Sequence, residues 1–77
     1  MKLEHYYSDF NGHSFGVQSP YGQKPSAETV REARTLGRVA VGNADIICQE
    51  DKYLVVIQNV SNGIAGNIYR DMYRIID

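Results

Sequence analysis

The longest uninterrupted apolar stretch in the chain is Tyr53–Ile57. It consists of tyrosine, leucine, valine and isoleucine, and aromatic and β-branched residues suit the pleated, packed surface of a strand. A strand that packs on one side only alternates apolar and polar residues, whereas this stretch is apolar at every position. We therefore expect it to be the central strand of a sheet, with other parts of the chain covering both of its faces.

Length and charge indicate one small globular domain over residues 1–77. The chain has 43% apolar and 22% charged residues, which is typical of folded rather than disordered proteins. Its formal net charge is −1, so it has neither the basic excess of a nucleic-acid binder nor the acidic excess of a nucleic-acid mimic. The charge balance disfavours both classes.

The single cysteine, Cys48, lies in an apolar stretch and has no second cysteine to pair with. This is typical of a small buried side chain in a reducing compartment. The segment Met1–His5 lacks the apolar core of a signal peptide, and no apolar run approaches the roughly 18 residues of a membrane span. We therefore expect a cytoplasmic protein without a membrane-spanning segment.

The first predicted hairpin turns at Asn11 and Gly12, since both residues accept the positive φ angles of a type I′ turn. If these are the two turn residues, the register of the flanking strands is fixed. On the side that faces the core, the register pairs Phe10 with His13, Ser8 with Phe15 and Tyr6 with Val17. The opposite side carries Leu3, His5 and Tyr7. The two histidines are then on different faces, which disfavours a metal site between them.

The segment Ser19–Pro25 contains two prolines and a glycine, so we expect it to be an ordered loop. Tyr21 lies at its middle. It is either a contact residue for a partner or a lid that folds back on the small core. The sequence leaves both interpretations open.

A helix is predicted to follow, with Ser26 as its N-cap. Small apolar residues recur on one half of the helical projection, which indicates a helix that ends at Gly42 and Asn43. The alternative is a helix that ends at Gly37, with Arg38–Val41 as a short strand. We prefer the longer helix because the apolar stripe continues through it.

Three arginines, Arg31, Arg34 and Arg38, form a ladder on one side of this predicted helix, a pattern that could bind phosphate groups. Glu28 and Glu32 lie between them and neutralise much of the positive field. The ladder is therefore either a nucleic-acid contact or, as the more common outcome, a solvated helix face.

The second half of the chain shows a hairpin followed by helical spacing. Asp45–Gln49 and Tyr53–Ile57 flank a polar turn at Glu50–Lys52. From Ile64 onward the apolar residues come in adjacent pairs, which a helical projection gathers on one half-cylinder. We therefore expect a second amphipathic helix that extends to Ile76.

These elements predict an α+β fold of order ββαββα, a four-stranded antiparallel sheet with two amphipathic helices packed on one face. Two helices can cover one face of such a sheet but not both. The other face would present Leu3, His5 and Tyr7 beside Ile47, Leu54 and Val56, or the alternate apolar set. An apolar patch of this size is typical of an interface, and a twofold contact would bury it with one self-complementary surface. We therefore expect a homodimer.

No stretch of the sequence has the pattern of a catalytic, metal-binding or cofactor-binding site, so we expect no enzymatic activity and no cofactor. Nucleophilic catalysis by Cys48 would need an exposed, electropositive setting, whereas its neighbours are apolar. A histidine acid or base at His5 or His13, beside Glu4 or Asp9, is an ordinary polar pair on a hairpin.

Six tyrosines in 77 residues are the one compositional peculiarity, and tyrosine supplies large amphipathic contact area at low entropy cost. We therefore expect a non-enzymatic protein-binding module, a small inhibitor or regulator of a larger bacterial complex that acts by steric occlusion. In size and character alone, the chain is similar to inhibitors encoded by phages and other mobile elements, including anti-CRISPR proteins. The candidate partner-binding residues are His5, Tyr7, Tyr21, Arg31, Arg34 and Arg38. The alternatives are a nucleic-acid-binding regulator that uses the arginine face of the helix, and a purely structural oligomerising protein.

Overall fold

The computed structural model describes residues 1–11, 13–16, 19–61 and 66–77. Within these ranges, six antiparallel strands form one sheet and one α-helix packs on it. The elements are β1 (Lys2–Phe10), β2 (His13–Gly16), α1 (Ala27–Leu36), β3 (Arg38–Val41), β4 (Ala44–Gln49), β5 (Tyr53–Ser61) and β6 (Gly66–Ile76). The strand order across the sheet is β2-β1-β6-β5-β4-β3. The prediction of a four-stranded sheet with two helices is therefore wrong.

The prediction of a central strand at Tyr53–Ile57 is confirmed. β5 lies inside the sheet, hydrogen-bonded to β6 on one side and to β4 on the other. Leu54 and Val56 face the core under α1 and are 0% and 7% exposed, and Val55, on the opposite side, is 5% exposed. Ile57 is half-buried. The uninterrupted apolar run thus marks an interior strand, but the prediction that other parts of the chain cover both of its faces is not met within the described residues, because α1 packs only on the side of Leu54 and Val56.

The predicted second helix is instead β6, an 11-residue strand between β1 and β5. Its adjacent apolar pairs place one side chain on each face of the sheet: Tyr73 is buried in the core, whereas Met72 is half-buried on the other side. Pairs that recur every four residues fit both a helical and a strand period. The aromatic and β-branched content, together with hydrogen bonding to two neighbouring strands, favours the strand. Residues 62–65, where the helix was expected to begin, lie outside the described ranges.

α1 ends at Leu36, so the shorter of the two helices considered from the sequence is correct and the longer one is wrong. Gly37 has a φ angle of 87°, which glycine adopts without the steric penalty of other residues, and its N–H donates to Ala33 O at 2.7 Å. The chain then enters β3, which pairs with β4. At the other end of α1, Ser26 is the N-cap as predicted, and its Oγ accepts a hydrogen bond from Thr29 N–H at 3.2 Å.

The first hairpin forms at the predicted turn, and the predicted pairing of Phe10 with His13 is confirmed. Asn11 has a φ angle of 45°, as a type I′ turn requires. Its predicted companion in the turn, Gly12, lies outside the described residues. The local chemistry of the turn thus determined the register beside it.

Farther from the turn, two irregularities shift the register of β1. Its pairing with β2 shifts after Ser8, which pairs with Gly16, so the predicted pairing with Phe15 is wrong. Its pairing with β6 shifts at Tyr6, an extra residue on β1 that has no counterpart on β6. The predicted partner of Tyr6, Val17, lies outside the described residues. Each shift changes which side chains share a face.

The second hairpin is confirmed. β4 and β5 are joined by the predicted polar turn, and β4 begins at Ala44, one residue earlier than predicted. Glu50 and Asp51 have φ angles of 54° and 56°, and Lys52 N–H donates to Gln49 O at 3.1 Å. The charged residues at this tip therefore form a tight turn.

The hydrophobic core lies between α1 and one face of the sheet. Its buried residues are Leu3, Val30, Ala33, Ile46, Leu54, Val56, Tyr73 and Ile75. The small side chains of Val30 and Ala33, both 0% exposed, let the helix approach the sheet closely. Loop 19–26 crosses the same side of the sheet, held there by hydrogen bonds to strand residues. The two described elements that pack on the sheet therefore share one face.

Candidate protein interface

The side of the sheet that faces away from α1 carries a continuous patch of apolar and aromatic side chains. Cross-strand pairing places Ile47 beside Val55, Val55 beside Met72, and Met72 beside Tyr7, in a row that spans four strands. Further aromatic and apolar side chains flank this row. We call this surface the open face and define it by Tyr6, Tyr7, Ile47, Tyr53, Val55, Ile57 and Met72.

The side chains of the open face shield one another, but part of their apolar surface is in contact with solvent. Val55 at the centre is 5% exposed, whereas Ile47 and Met72 beside it are only half-buried. The rings of Tyr6 and Tyr53 meet edge to face, with ring centroids 6.2 Å apart. Aromatic pairs of this geometry are favourable beyond the area that they bury. The side chains of the open face therefore bury part of one another's apolar surface without a covering layer.

Ion pairs lie on this side of the sheet and flank the apolar row, since Arg74 is the cross-strand neighbour of Tyr53 and Arg70 that of Ile57. They are Arg38–Asp45 at 2.9 Å, Arg74–Glu4 at 3.9 Å, and Arg70–Asp9. Within each pair the opposite charges compensate one another, so the border is polar but close to neutral. An apolar centre with a polar border is the usual anatomy of a protein–protein contact.

The hydroxyl of Tyr6 on the open face is neutral at physiological pH. Burial, with a smaller contribution from Tyr53, raises the pKa of Tyr6 above its ordinary value of 10.0. The hydroxyl of Tyr7 forms a hydrogen bond with Ser14 Oγ on β2. Neutral rings with a polar tip provide both apolar area and hydrogen bonding to a partner.

His5 and Tyr7 do not share a face, although the sequence predicted that they would. Because Tyr6 is an extra residue on β1, the alternation of side chains resets there, and His5 turns toward the core side. The His5 ring packs edge to face on Tyr73, with ring centroids 5.4 Å apart. Tyr7 lies on the open face, as a partner-binding residue would, and His5 does not.

His5, Ser8 and Asp71 form a buried cluster that contains the three residue types of a serine nucleophile site. Ser8 Oγ donates to Asp71 Oδ1 at 2.6 Å, and His5 Nε2 lies 2.8 Å from Ser8 Oγ. Since the one hydroxyl hydrogen of Ser8 is directed to Asp71, His5 Nε2–H is the donor to Ser8, which is the reverse of general-base geometry. Ser8 is also 0% exposed. The cluster therefore has the geometry of a structural hydrogen-bond network.

Asp71 uses its second carboxyl oxygen to hold loop 19–26 on the sheet. Oδ2 accepts hydrogen bonds from the backbone N–H groups of Tyr21 at 3.0 Å and Gly22 at 3.4 Å, and Lys24 Nζ donates to Leu3 O at 3.1 Å. Asp71 is 3% exposed. Sequence reasoning missed it because a helical projection places it among solvated polar residues. The signal that indicates it is a lone carboxylate among the core-facing positions of an alternating strand.

Tyr21 folds back on the sheet, which is the lid arrangement, one of the two interpretations that the sequence left open. Its ring centroid lies 4.2 Å from that of Tyr69 and 6.3 Å from that of Phe15, and Phe10 contacts both of those rings. This aromatic cluster covers the end of the sheet that α1 does not reach. Tyr21 is nevertheless 39% exposed, so its role as a contact residue stays a prediction.

The three arginines of the predicted ladder do not share one face, because α1 ends before Arg38. Arg31 is exposed on the outer surface of α1. Arg34 pairs with Asp51 and Asp77, and Arg38 lies on β3 at the border of the open face. A nucleic-acid contact through one arginine face of a helix thus loses its geometric basis.

Arg34 ties α1 to the β4–β5 turn and to the residue that follows β6. Its Nε lies 2.7 Å from Asp51 Oδ1, and its Nη2 lies 2.9 Å from Asp77 Oδ2. Hydrogen bonds from Arg34 hold the pKa of both carboxyl groups below the ordinary value of 3.8, and these bonds raise the pKa of Arg34. The three side chains form one charge cluster at this end of the molecule.

We expect this cluster to stabilise the fold at neutral pH and to lose its effect in acid. The carboxyl pKa values are lower in the folded than in the unfolded state, so the stabilisation is present above about pH 4 and is lost as the pH falls through the folded values. Because both carboxylates are exposed, Arg34→Gln should lower Tm by only a few degrees near pH 6 and by less near pH 2. Thermal melts followed by circular dichroism measure this, with Arg31→Gln as the control. Equal Tm values for wild type and Arg34→Gln near pH 6 would contradict the expectation.

Among the described residues, no group of three or more histidine, cysteine, aspartate or glutamate side chains is arranged to hold a metal ion. Cys48 is half-buried and packs against the core. A shallow groove at one end of the open face is lined by Asp9, Asn11, Ile57, Ile68 and Arg70. Small-molecule sites are usually deep clefts that enclose the ligand, so this groove suits a side chain of a protein partner better.

α1 has 10 residues, and in the part of the chain that the structure describes no helix is long and apolar enough to cross a membrane. The sequence and the structure place the strongest candidate site on the open face. Comparison with known proteins adds no relative: no protein-family model, curated protein or solved structure matches the chain.

Proposed function

We propose that the protein is a non-enzymatic protein-binding module whose contact surface is the open face. The observation that carries this proposal is the row of Ile47, Val55, Met72 and Tyr7, an apolar stripe across the sheet that no other described element covers. Large contiguous apolar patches are uncommon on monomers and are typical of interaction sites. By binding through this face, the chain would act as a small inhibitor or regulator that occludes a surface of a larger complex.

The charges around the open face favour a protein over a nucleic acid as the partner. Arg38, Arg70 and Arg74 are each paired with a carboxylate of the same chain. A nucleic-acid contact needs cations that are available to neutralise phosphates, and here the neutralisation is already internal. The formal net charge of −1 points the same way.

The open face is also well suited to tight binding because it is built on paired strands. Ile47, Val55 and Met72 occupy three neighbouring strands with continuous pairing, so their backbone positions are set before a partner arrives. A preorganised surface loses less conformational entropy on association than a loop does. Steric occlusion then needs no catalytic group. We also propose a cytoplasmic location, where the unpaired thiol of Cys48 would stay reduced.

Site-specific photocrosslinking in the organism that encodes the chain tests the proposal. Tyr53, on the open face, is replaced by the photoreactive residue p-benzoylphenylalanine, and the control carries it at Leu36, which is 71% exposed on α1. We expect irradiation to link position 53, but not position 36, to one defined protein that mass spectrometry identifies. That protein is either a second copy of the chain or another polypeptide. Absence of a crosslink at position 53, or the same products from both positions, would contradict the proposal.

A further inference from the structure

We propose that the occupant of the open face is the open face of a second copy of this chain, so that two sheets stack as a twofold-symmetric β-sandwich. This inference rests on the proposed function, since it names the partner of the same surface. Sheets that pack face to face lie about 10 Å apart and interdigitate the side chains of their inner faces. In such a dimer α1 and loop 19–26 of each copy lie on the outside.

The side of the sheet that carries the open face is close in size to what a stable dimer needs. Four strands, β1, β6, β5 and β4, form it, and with strands about 4.8 Å apart and a rise of about 3.3 Å per residue, this side, including its ion pairs, measures roughly 19 by 30 Å. The resulting area of roughly 570 Å² is near the lower end of the roughly 600–1,000 Å² that each partner buries in an interface of standard size. A second copy therefore covers the whole face, whereas a peptide would cover only part of it.

The charge distribution is self-complementary. In a twofold contact a patch meets a copy of itself, so any net charge on the patch would face the same charge. Arg70 and Arg74 lie on either side of Met72 on this side of the sheet, and Arg38 lies at its edge; each is paired with a carboxylate of the same chain. The paired charges nearly cancel, so the surface can face its own copy without a strong net repulsion.

Position in the sheet indicates where the twofold axis passes. Among the four strands that build the open face, β5 and β6 are the two in the middle, and Val55 and Met72 are cross-strand partners there. Residues near a twofold axis contact their own counterparts. Met72, with a flexible and polarizable side chain, is suited to packing against its counterpart. The geometry thus predicts a Met72–Met72 contact between the two copies.

Sedimentation equilibrium of the purified full chain tests this arrangement. We expect the wild type to sediment at micromolar concentration with about twice the 8.7 kDa mass of the chain. Met72→Lys and Met72→Glu alone should each bring like charges together at the axis and weaken dimerisation at least about 100-fold. An equimolar mixture of the two variants should restore a dimer, because opposite charges then meet. Leu36→Lys, on the exposed surface of α1, should dimerise like the wild type.

Circular dichroism melts establish that each variant is folded, and Tyr53→Lys on the same face replaces any Met72 variant that does not melt cooperatively. A wild type that stays monomeric at about 100 μM, or folded Met72 variants that dimerise normally, would overturn the inference. If the mixture of Met72→Lys and Met72→Glu stays monomeric, the twofold axis does not pass near Met72. Crosslinks from position 53 to a different polypeptide, with a monomeric wild type, would overturn the homodimer and leave the proposed function standing. Absence of any crosslink from position 53 would contradict both the homodimer and the proposed function.

Discussion

Replacing Val56 with aspartate is expected to abolish cooperative folding. Val56 is 7% exposed in the core under α1, and its cross-strand neighbours are Ile46 and Asp71. The new carboxylate would lie in apolar surroundings beside an existing carboxyl group. A buried unpaired charge destabilises a protein by about 4–5 kcal/mol or more. At about 0.05–0.15 kcal/mol per residue, a chain of this length has only about 4–12 kcal/mol of stability in total.

Val41→Asp is the matched control, because it makes the same chemical change on a strand. Val41 is 48% exposed at the end of the edge strand β3. We expect its melt, followed by circular dichroism, to stay cooperative with a Tm within a few degrees of wild type, whereas Val56→Asp should show no transition. A wild-type melt of Val56→Asp would mean that β5 is not an interior strand. If Val41→Asp also failed to fold, the added charge itself, rather than its burial, would explain the effect of Val56→Asp.

Replacing Asp71 with alanine is expected to lower the free energy of unfolding by about 3–5 kcal/mol. The change removes the acceptor for three donors at once: the hydroxyl of Ser8 and the backbone N–H groups of Tyr21 and Gly22. Asp71 is 3% exposed, so water cannot readily take its place. Urea denaturation measures the loss. Hydrogen exchange should also show faster exchange at the amides of Tyr21 and Gly22, because loop 19–26 is no longer held.

Two further variants separate the role of the buried carboxyl group from a general effect of removing charge. Asp71→Asn keeps one acceptor oxygen and should lose less stability than Asp71→Ala. Asp45→Ala removes a carboxylate that pairs with the exposed side chain of Arg38, and should change the free energy of unfolding by less than about 1 kcal/mol. Similar losses for Asp45→Ala and Asp71→Ala would show that the buried network does not hold the fold together.

The interior strand was predictable from the sequence, whereas β6 was not. In Tyr53–Ile57 every position is apolar, whereas a strand that packs on one side only, or an amphipathic helix, would include polar positions. In β6, pairs such as Met72 and Tyr73 alternate with polar residues, and a period of four fits both a helix and a strand shielded on both faces. Periodicity alone does not distinguish the two. Pairing with β1 and β5 does, because it satisfies the backbone hydrogen bonds of β6 on both edges.

The candidate site shows the same division between local and long-range causes. The sequence predicted an apolar sheet face and placed Tyr7 on it. It also placed His5 there, and the structure moves His5 to the core side because Tyr6 is an extra residue on β1. A bulge of this kind depends on how a strand meets a neighbour more than 60 residues away in the chain, and no local pattern marks it. Met72 was missed for the related reason that its strand was assigned to a helix.

By itself the sequence determined the features whose causes lie within a few residues of one another. These are the turn after Phe10, the N-cap at Ser26, the β4–β5 hairpin and the interior position of Tyr53–Ile57. Turn and cap residues act through their own φ angles and side-chain hydrogen bonds, so neighbouring residues suffice to predict them. Only the tertiary structure decided that the local cap at Gly37, rather than the apolar stripe, ends α1, that β6 is a strand, and that Asp71 anchors loop 19–26. The last two depend on hydrogen bonds or packing between distant segments, whose free energy exceeds the small local preferences that the sequence displays.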